Sequence, residues 1–370
     1  MENLTRKILS CRSSAESRWL RFGPYYAMFP MEFAFKVIKK YSEQGDKVLD
    51  PFSGRGTSII AASILNRKSV GIEINPLGWV YTKVKLNPST KNRILNRLKD
   101  VTNNSYKYLP RAKDYPQFFK MCFCEDVLSF LIAARKLLNW KSSAVDRTLM
   151  SFILVYLHAK VGEGLSNQMR MTKSMGDNYS INWWMANGFS KPPNINPYEF
   201  LKSRIEWRYE KGKLNLNHNE VYLGDSSKIL AKLNKRSNQK FNLLFTSPPY
   251  WSITDYHIDQ WLRLWLLGYD LRPTSQKDKY RGRFLSKENY VRLLSDVFLH
   301  SSKLMKKNSV IYVRTDARKF TFETTKEILT KCFPRHYMHI RKRPFLNKTQ
   351  TELFGDKSEK PGEIDIILKP

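Results

Sequence analysis

The chain is poor in the residues from which metal centres and disulfide scaffolds are built. Its 370 residues include four cysteines (Cys11, Cys122, Cys124 and Cys332) and six histidines. Cys122 and Cys124 are one residue apart, with no second Cys or His pair at finger spacing, and no HxH or HExxH pattern occurs, so no metal is expected. The thiols read as reduced and structural, in a cytosolic protein. Long apolar runs are also missing. No run approaches the roughly 18 residues a membrane-crossing helix needs, so no membrane partner is expected. Met1–Arg21 has no continuous apolar segment of the signal-peptide kind. Acid is scarce: 33 Asp and Glu stand against 64 Lys and Arg, a formal charge of +31. That excess is far larger than solubility needs and favours a polyanionic partner.

What is present is an alternation of short apolar runs and amphipathic stretches. Strands are predicted at 47–50, 69–74, 220–225, 241–246, 309–313, 336–340 and 363–368. Helices are predicted over Met31–Tyr41, Ser58–Leu65, Ser227–Leu233, Lys287–Lys306 and Phe322–Cys332. The last two strands have no helix between them and suit an antiparallel pair at one edge. The count gives an α/β protein, a doubly wound, seven-stranded, mostly parallel sheet. Three segments follow: 1–88, the first part of the sheet; 89–219, a large, mainly helical insertion; and 220–370, the rest of the sheet.

Three strand ends carry the chemistry. The first strand runs into Asp50-Pro51-Phe52-Ser53-Gly54-Arg55-Gly56-Thr57, a glycine loop opening a helix of small residues. Such a loop lets a ligand approach the backbone, and the helix start offers free N–H groups. No Walker Gly-Lys-Ser/Thr follows, so a phosphate cradle is not supported. The second strand ends in Glu73, about 17 residues after Gly56, where an acid accepts from both ribose hydroxyls of an adenosine. The run Phe241–Phe245 meets Thr246-Ser247-Pro248-Pro249-Tyr250-Trp251. Two prolines cannot continue a central strand, so they hold a stiff turn at the sheet edge where open α/β sheets bind ligands. Alone, Pro-Pro-Tyr reads as a Pro-rich surface loop with an exposed Tyr.

The insertion is basic and mixed. Lys91–Tyr108 reads as a solvated helix, Phe118–Cys124 as a strand, Asp126–Trp140 as an amphipathic helix and Ala144–Val161 as a buried one. Ser166–Ser174, Asn182-Trp183-Trp184 and Arg204-Ile205-Glu206-Trp207-Arg208-Tyr209 mix amides, cations and aromatics. Amides read base edges, cations bind phosphates and aromatics stack, which points to duplex contact, with a wet helical face as the plain alternative. Further on, the Trp- and Leu-rich stretch from Asp255 to Gly268 reads as core. Lys277, Lys279, Arg281 and Arg283 alternate along a segment that tracks a phosphate backbone or is a solvated loop.

The Asp50–Thr57 loop, Glu73-Ile74-Asn75-Pro76 and Thr246–Tyr250 together resemble the S-adenosylmethionine-dependent amino-methyltransferases of DNA, the N4-cytosine and N6-adenine enzymes, over roughly residues 22–88 and 219–370. The resemblance implies a Rossmann-like methyltransferase fold in a bacterial or archaeal cytoplasm, with S-adenosyl-L-methionine as cofactor and duplex DNA as substrate. It assigns cofactor binding to Tyr25, Asp50, Phe52, Gly54, Gly56, Thr57 and Glu73. Asp225, at the end of its strand, takes the acid that accepts from the adenine amine, in preference to Asp126. Ser247, Pro248, Pro249 and Tyr250 become the base-holding, catalytic loop. Ser-Pro-Pro-Tyr is associated mainly with cytosine N4 and Asp/Asn-Pro-Pro-Tyr with adenine N6. The cofactor loop precedes the catalytic loop here, whereas many N4-cytosine enzymes have the opposite order, and Arg55 stands where serine is common. A restriction-modification role with a companion restriction endonuclease is implied. An N6-adenine enzyme, an RNA amino-methyltransferase and a non-catalytic DNA-binding relic remain alternatives.

Overall fold

A computed structural model describes residues 14–25, 29–216, 219–236, 240–251, 256–270, 286–343 and 362–370. The chain divides into two compact units, one comprising 29–75, 218–255 and 275–370, the other 1–28, 76–217 and 256–274.

The first unit holds the sheet. Its strands are β1 (Lys47–Asp50), β2 (Lys68–Glu73), β3 (Asn219–Leu223), β4 (Phe241–Thr246), β5 (Met305–Asp316), β6 (Tyr337–Arg343) and β7 (Glu363–Lys369). Their order is β3-β2-β1-β4-β5-β7-β6. The first five are parallel, and β7 runs antiparallel to both β5 and β6. This is the doubly wound, seven-stranded sheet expected from the apolar runs, including the antiparallel pair at its edge. Leu243, Leu244 and Phe245 are all buried, as a strand covered on both faces must be. The edge strand β6 is exposed almost throughout and carries Arg341, Lys342 and Arg343, charges that discourage pairing with another chain.

Among the described residues, five helices cover this sheet: α1 (Met31–Tyr41), α2 (Thr57–Ile64), α3 (Ser226–Arg236), α4 (Lys287–Leu304) and α5 (Lys319–Cys332). α2 packs close because β2 has a glycine beneath it. A Cβ on Gly71 would stand 2.9 Å from Ile59 Cγ1 and 3.1 Å from Ser53 Cβ. Leu230, Leu294, Val297, Phe298 and Leu329 from α3, α4 and α5 join Leu49, Ile72, Leu244 and Ile311 in one core. The connection from β1 runs outward to β2 and β3, while β4 and β5 lie on the other side. The winding therefore reverses between β1 and β4, and the carboxyl ends of those strands flank the switch point where such sheets take their ligands.

The second unit is helical among the described residues, and it draws in more chain than 89–219. Ala15–Leu20 and Trp261–Leu266 join the helices Pro76–Leu86, Lys91–Ser105, Glu125–Leu137, Ala144–Tyr156, Asp177–Ala186 and Pro197–Tyr209. The segment 118–124, expected as a strand, is instead the end of a helix, Gln117–Cys122. Pro116 supplies its cap, and Phe118, Phe119, Met121 and Cys122 are buried at helical spacing. The helix expected over Ala144–Val161 stops at Tyr156, with its predicted core residues Leu149, Phe152, Ile153, Val155 and Leu157 buried. Beyond it, the buried His158 accepts or donates at both ring nitrogens, to the Arg170 carbonyl (2.6 Å) and Ser174 Oγ (3.1 Å). The fully buried Arg263 then fastens the same segment, donating to the carbonyls of Leu154 (2.8 Å) and Met171 (2.5 Å) and to Gln260 Oε1 (2.7 Å). The Trp- and Leu-rich stretch is core as expected: Trp261, Leu262, Leu264, Trp265 and Leu266 are all buried. The basic segment with Lys277, Lys279, Arg281 and Arg283 lies outside the described residues, as does most of the polar 347–362 loop.

Candidate active site

β1 ends in a carboxylate that should prefer water but is buried. Asp50 accepts from Thr246 Oγ1 (2.6 Å) and the Phe52 amide (3.1 Å) at one oxygen, and from Ser58 Oγ at the other. These donors come from the end of β4, the loop after β1 and the first turn of α2, so one side chain ties both strands of the switch point to the helix. Burial pushes its pKa up to about 6, against the lowering effect of those donors.

The loop from Pro51 to Thr57 then turns tightly. The Gly56 amide donates to the Ser53 carbonyl (2.7 Å), and the Ser53 amide to the Ile72 carbonyl of β2 (3.0 Å). Gly56, with φ +77°, is the residue that starts α2, a left-handed conformation a side chain resists. Thr57 follows in the first turn. Its hydroxyl is buried and has no hydrogen-bond partner among the described residues. A buried hydroxyl at a helix start is a donor and acceptor waiting for a ligand atom.

Glu73 closes the floor. It is 7% exposed, and its two oxygens accept from the Gly54 amide (2.7 Å) and the Asn75 amide (2.7 Å). Burial moves its pKa up to about 8, opposed by those amides and reinforced by the nearby Asp50. Each oxygen keeps a lone pair, the equipment for a diol. Asp225 sits just past the end of β3, where it accepts from the Ser227 amide (3.1 Å) and hydroxyl (2.8 Å) and so caps α3. Its neighbour Ser226 donates to the Pro51 carbonyl (2.5 Å), joining the β3 end to the glycine loop. Phe52 is half-buried against the sheet core. Tyr25 is buried and belongs to the helical unit, as does Asp126, on the helix Glu125–Leu137.

The double-proline loop is braced from several sides. Tyr290 of α4 donates to the Pro249 carbonyl (3.0 Å), and Trp251 packs on Tyr290 and Phe320 at 5.7 and 5.6 Å. Ser247 Oγ makes a long contact to the Tyr250 hydroxyl (3.4 Å), which in turn donates to Glu363 Oε1 (3.0 Å). Glu363 is the first residue of β7. Its other oxygen meets Arg314 Nη1 (3.0 Å), and Arg314 grips Asp365 through Nε (2.7 Å) and Nη2 (3.2 Å). Arg343 adds a third donor to Asp365 at 3.0 Å. Burial first, then the Glu363 charge, holds the Tyr250 phenol well above its usual range, so it remains a neutral donor.

Sequence reasoning missed Glu363, Arg314, Asp365 and Tyr290. The only available signal was a charged pair, Glu363 and Asp365, inside the apolar strand Glu363-Ile364-Asp365-Ile366-Ile367-Leu368. Acids on one face of a buried strand need cations opposite, and β5 supplies Arg314 in antiparallel register with Asp365.

A seven-stranded sheet with a glycine loop after β1, an acid after β2 and a prolyl loop after β4 defines the Rossmann-like methyltransferase class. Residues 5–77 match a family model described as DNA methylase (N6_N4_Mtase). Type II methyltransferase M.MthZI of Methanothermobacter thermautotrophicus is 49% identical over 49 residues, 13% of this chain and 14% of that protein. M.AvaI of Nostoc is 31% identical over 85 residues, 23% and 18% of the two chains. M.BsoBI of Geobacillus stearothermophilus is 23% identical over 296 residues, 73% of this chain and 56% of that one. The chain thus spans from about a seventh to just over half the length of these relatives. Among solved structures, TrmN from Thermus thermophilus superposes with a TM-score of 0.35 at 11% identity, covering 99% of this chain and 53% of that one, a likeness too loose to bear on substrate. These matches support the S-adenosylmethionine-dependent DNA amino-methyltransferase family, with S-adenosylmethionine as cofactor. Among the described residues no helix is long and apolar enough to cross a membrane, and no three metal-ligating side chains converge.

Proposed function

We propose that the chain is a site-specific DNA methyltransferase that methylates the exocyclic N4 amine of cytosine in duplex DNA. The observation that carries this reading is the Asp50–Thr246 hydrogen bond (2.6 Å), which sets the glycine loop and the Ser247–Tyr250 loop side by side at the switch point. On one side Glu73, with Gly54, Gly56 and the unpartnered Thr57 hydroxyl, suits the ribose and amino-acid parts of the cofactor. Asp225 suits its adenine amine. S-adenosylmethionine, when bound, supplies an electrophilic methyl group.

The residues of the other side act on the amine. An exocyclic amine is a poor nucleophile because its lone pair is delocalised into the ring. Accepting hydrogen bonds from its N–H groups pulls the nitrogen toward tetrahedral geometry and aims the lone pair. Ser247 Oγ directs its own proton toward the Tyr250 hydroxyl, which leaves its lone pairs for the amine. The Pro249 carbonyl is taken by Tyr290, while the Pro248 carbonyl accepts no hydrogen bond among the described residues and is the second acceptor. The Tyr250 ring, its orientation set by Glu363, stacks on the base once it leaves the duplex. Ser247, where adenine enzymes favour Asp or Asn, supports cytosine. A place in a restriction-modification system beside a companion endonuclease rests on the relatives being Type II methyltransferases.

The test is incubation with radiolabelled S-adenosylmethionine and duplex DNA or tRNA, followed by nucleoside analysis. Label in N4-methylcytosine is expected. Label in N6-methyladenine overturns the base, label in tRNA alone overturns the DNA reading, and label in neither overturns the enzyme. Single-molecule sequencing of host DNA then gives the recognition sequence.

A further inference from the structure

The helical unit contains a cavity of about 420 Å³ lined by Arg18, Arg21, Tyr156, Arg204, Trp207 and Arg208. Four of the six lining residues are arginines and none is acidic. They come from three places in the chain: the helix Ala15–Leu20 and its cap, the end of Ala144–Tyr156, and the last turns of Pro197–Tyr209.

The arginines are set on rigid supports. Arg18 and Arg208 are 7% and 6% exposed. Arg18 donates to the Trp207 carbonyl and Arg208 to the Arg18 carbonyl, so the two helices are stitched through them. Trp207 lies under both guanidiniums, with Arg18 at 4.4 Å and Arg208 at 5.1 Å from its ring. Glu210 offsets Arg18 through a 2.9 Å ion pair. Arg204 rests on Phe200 (5.0 Å) and Tyr156 (5.6 Å) and donates to the Gly162 carbonyl (3.2 Å). Its Nε is buried and has no hydrogen-bond partner among the described residues. Guanidiniums held over aromatic faces lose little rotamer freedom on binding, and their planar forks match phosphate oxygens. Trp207 itself remains 40% exposed, a flat apolar surface beside the cationic one.

We propose that this cavity is a phosphate-binding site that takes a backbone phosphodiester of the DNA duplex, with Trp207 against the adjoining sugar. Cations, a buried N–H without a protein partner and an exposed indole together suit a nucleotide unit better than a bare inorganic ion. The proposal rests on the DNA reading of the substrate, and the same chemistry belongs to a free nucleotide.

The experiment measures duplex affinity against salt for the full chain, by fluorescence anisotropy, in wild type and Arg21→Gln/Arg204→Gln. These two arginines are chosen because Arg18 and Arg208 also hold the helices together. Each phosphate contact contributes about 0.9 to the slope of log affinity against log salt. Losing two contacts lowers the slope by about 1.8, so a fourfold rise in salt costs the variant about 12-fold less affinity than it costs wild type. Equal slopes, with affinities within twofold, overturn the proposal. Wild type that fails to bind any duplex overturns the substrate reading instead. Titration with dCMP and with inorganic phosphate, read by the fluorescence change lost in Trp207→Phe, separates the sources. Saturable dCMP binding with unaltered duplex slopes assigns the site to a free nucleotide and overturns the backbone assignment. Far-UV circular dichroism and a thermal midpoint unchanged from wild type show that the variant is folded. If the double variant does not fold, Arg21→Gln alone is expected to lower the slope by about 0.9.

Discussion

Glu73→Gln removes one ionisable group from the floor of the candidate site, and its effect on stability should reverse with pH. Burial raises the Glu73 pKa from an ordinary 4.5 to about 8. At 1.36 kcal/mol per pH unit the full difference is about 5 kcal/mol. The folded protein binds this proton more tightly than the unfolded chain does. Stability from the group is therefore fully present below about pH 4.5 and is lost as pH rises through about 8. Near pH 5 the neutral acid can still accept at both oxygens, whereas an amide accepts from one of the Gly54 and Asn75 amides and turns its NH2 on the other, so the variant should be less stable by about 1–3 kcal/mol. Near pH 9 wild type carries the whole cost of a buried anion, so the variant should be more stable by several kcal/mol. Urea unfolding of the cofactor-free proteins, followed by circular dichroism from about pH 5 to about pH 9, measures the difference directly. A difference that does not change with pH would falsify the reasoning. Asp50 contributes in a lower window, from 3.8 to about 6, so the two profiles separate. On the proposed reading ribose hydroxyls donate to the ionised form, so S-adenosylmethionine affinity of wild type should show the opposite sense and rise with pH up to about 8.

Other outcomes follow from the same contacts. Ser247→Ala should keep S-adenosylmethionine affinity, measured by calorimetry, and lose about 10²–10³-fold in kcat, the scale of removing one positioned hydrogen-bonding group at a reacting centre; loss of cofactor affinity would count against its assigned role. Tyr250→Phe keeps the ring but cuts the link to Glu363. Single-turnover rates should fall less than in Tyr250→Ala, and Glu363→Gln should resemble Tyr250→Phe; equal rates in Tyr250→Phe and Tyr250→Ala would show that the ring face is idle. Arg263→Met should destabilise the helical unit by about 3–5 kcal/mol, because three buried acceptors lose their donor. Thermal unfolding with little change in midpoint would show that those carbonyls find other partners.

The sheet was legible because its strands are short apolar runs stopped by residues with strong backbone preferences: Asp50-Pro51 after β1 and Ser247-Pro248-Pro249 after β4. The loops of the candidate site were legible for the same reason, since they begin where those strands stop. Phe118–Cys124 misled because an apolar run of that length fits either period, and only the flanking Pro116 favours a helix. The brace behind Tyr250 was not legible. Arg314 and Asp365 are 51 residues apart, and nothing local says that β7 inserts antiparallel between β5 and β6. The recruitment of 14–25 and 256–270 into the helical unit is likewise a matter of distant packing, through Arg18 and Trp207 at one end and Arg263 and Met171 at the other.

The base of the long insertion is clasped. The Leu216 amide donates to the Leu86 carbonyl (2.8 Å), Lys213 Nζ to the Pro88 carbonyl (3.1 Å) and the Tyr209 hydroxyl to the Ser89 carbonyl (2.6 Å). This bears on the order in which the chain folds. β2 and β3 pair in parallel across about 146 residues, from Glu73 to Asn219, a slow closure for an unstructured chain. Once the clasp has formed, the open chain between those strands shortens to about 16 residues, which lowers the entropic cost of pairing them by about 2 kcal/mol. The helical unit should therefore gain its protection from hydrogen exchange before β3 does, and Asp225, just past the end of β3, takes its place only when that strand joins the edge.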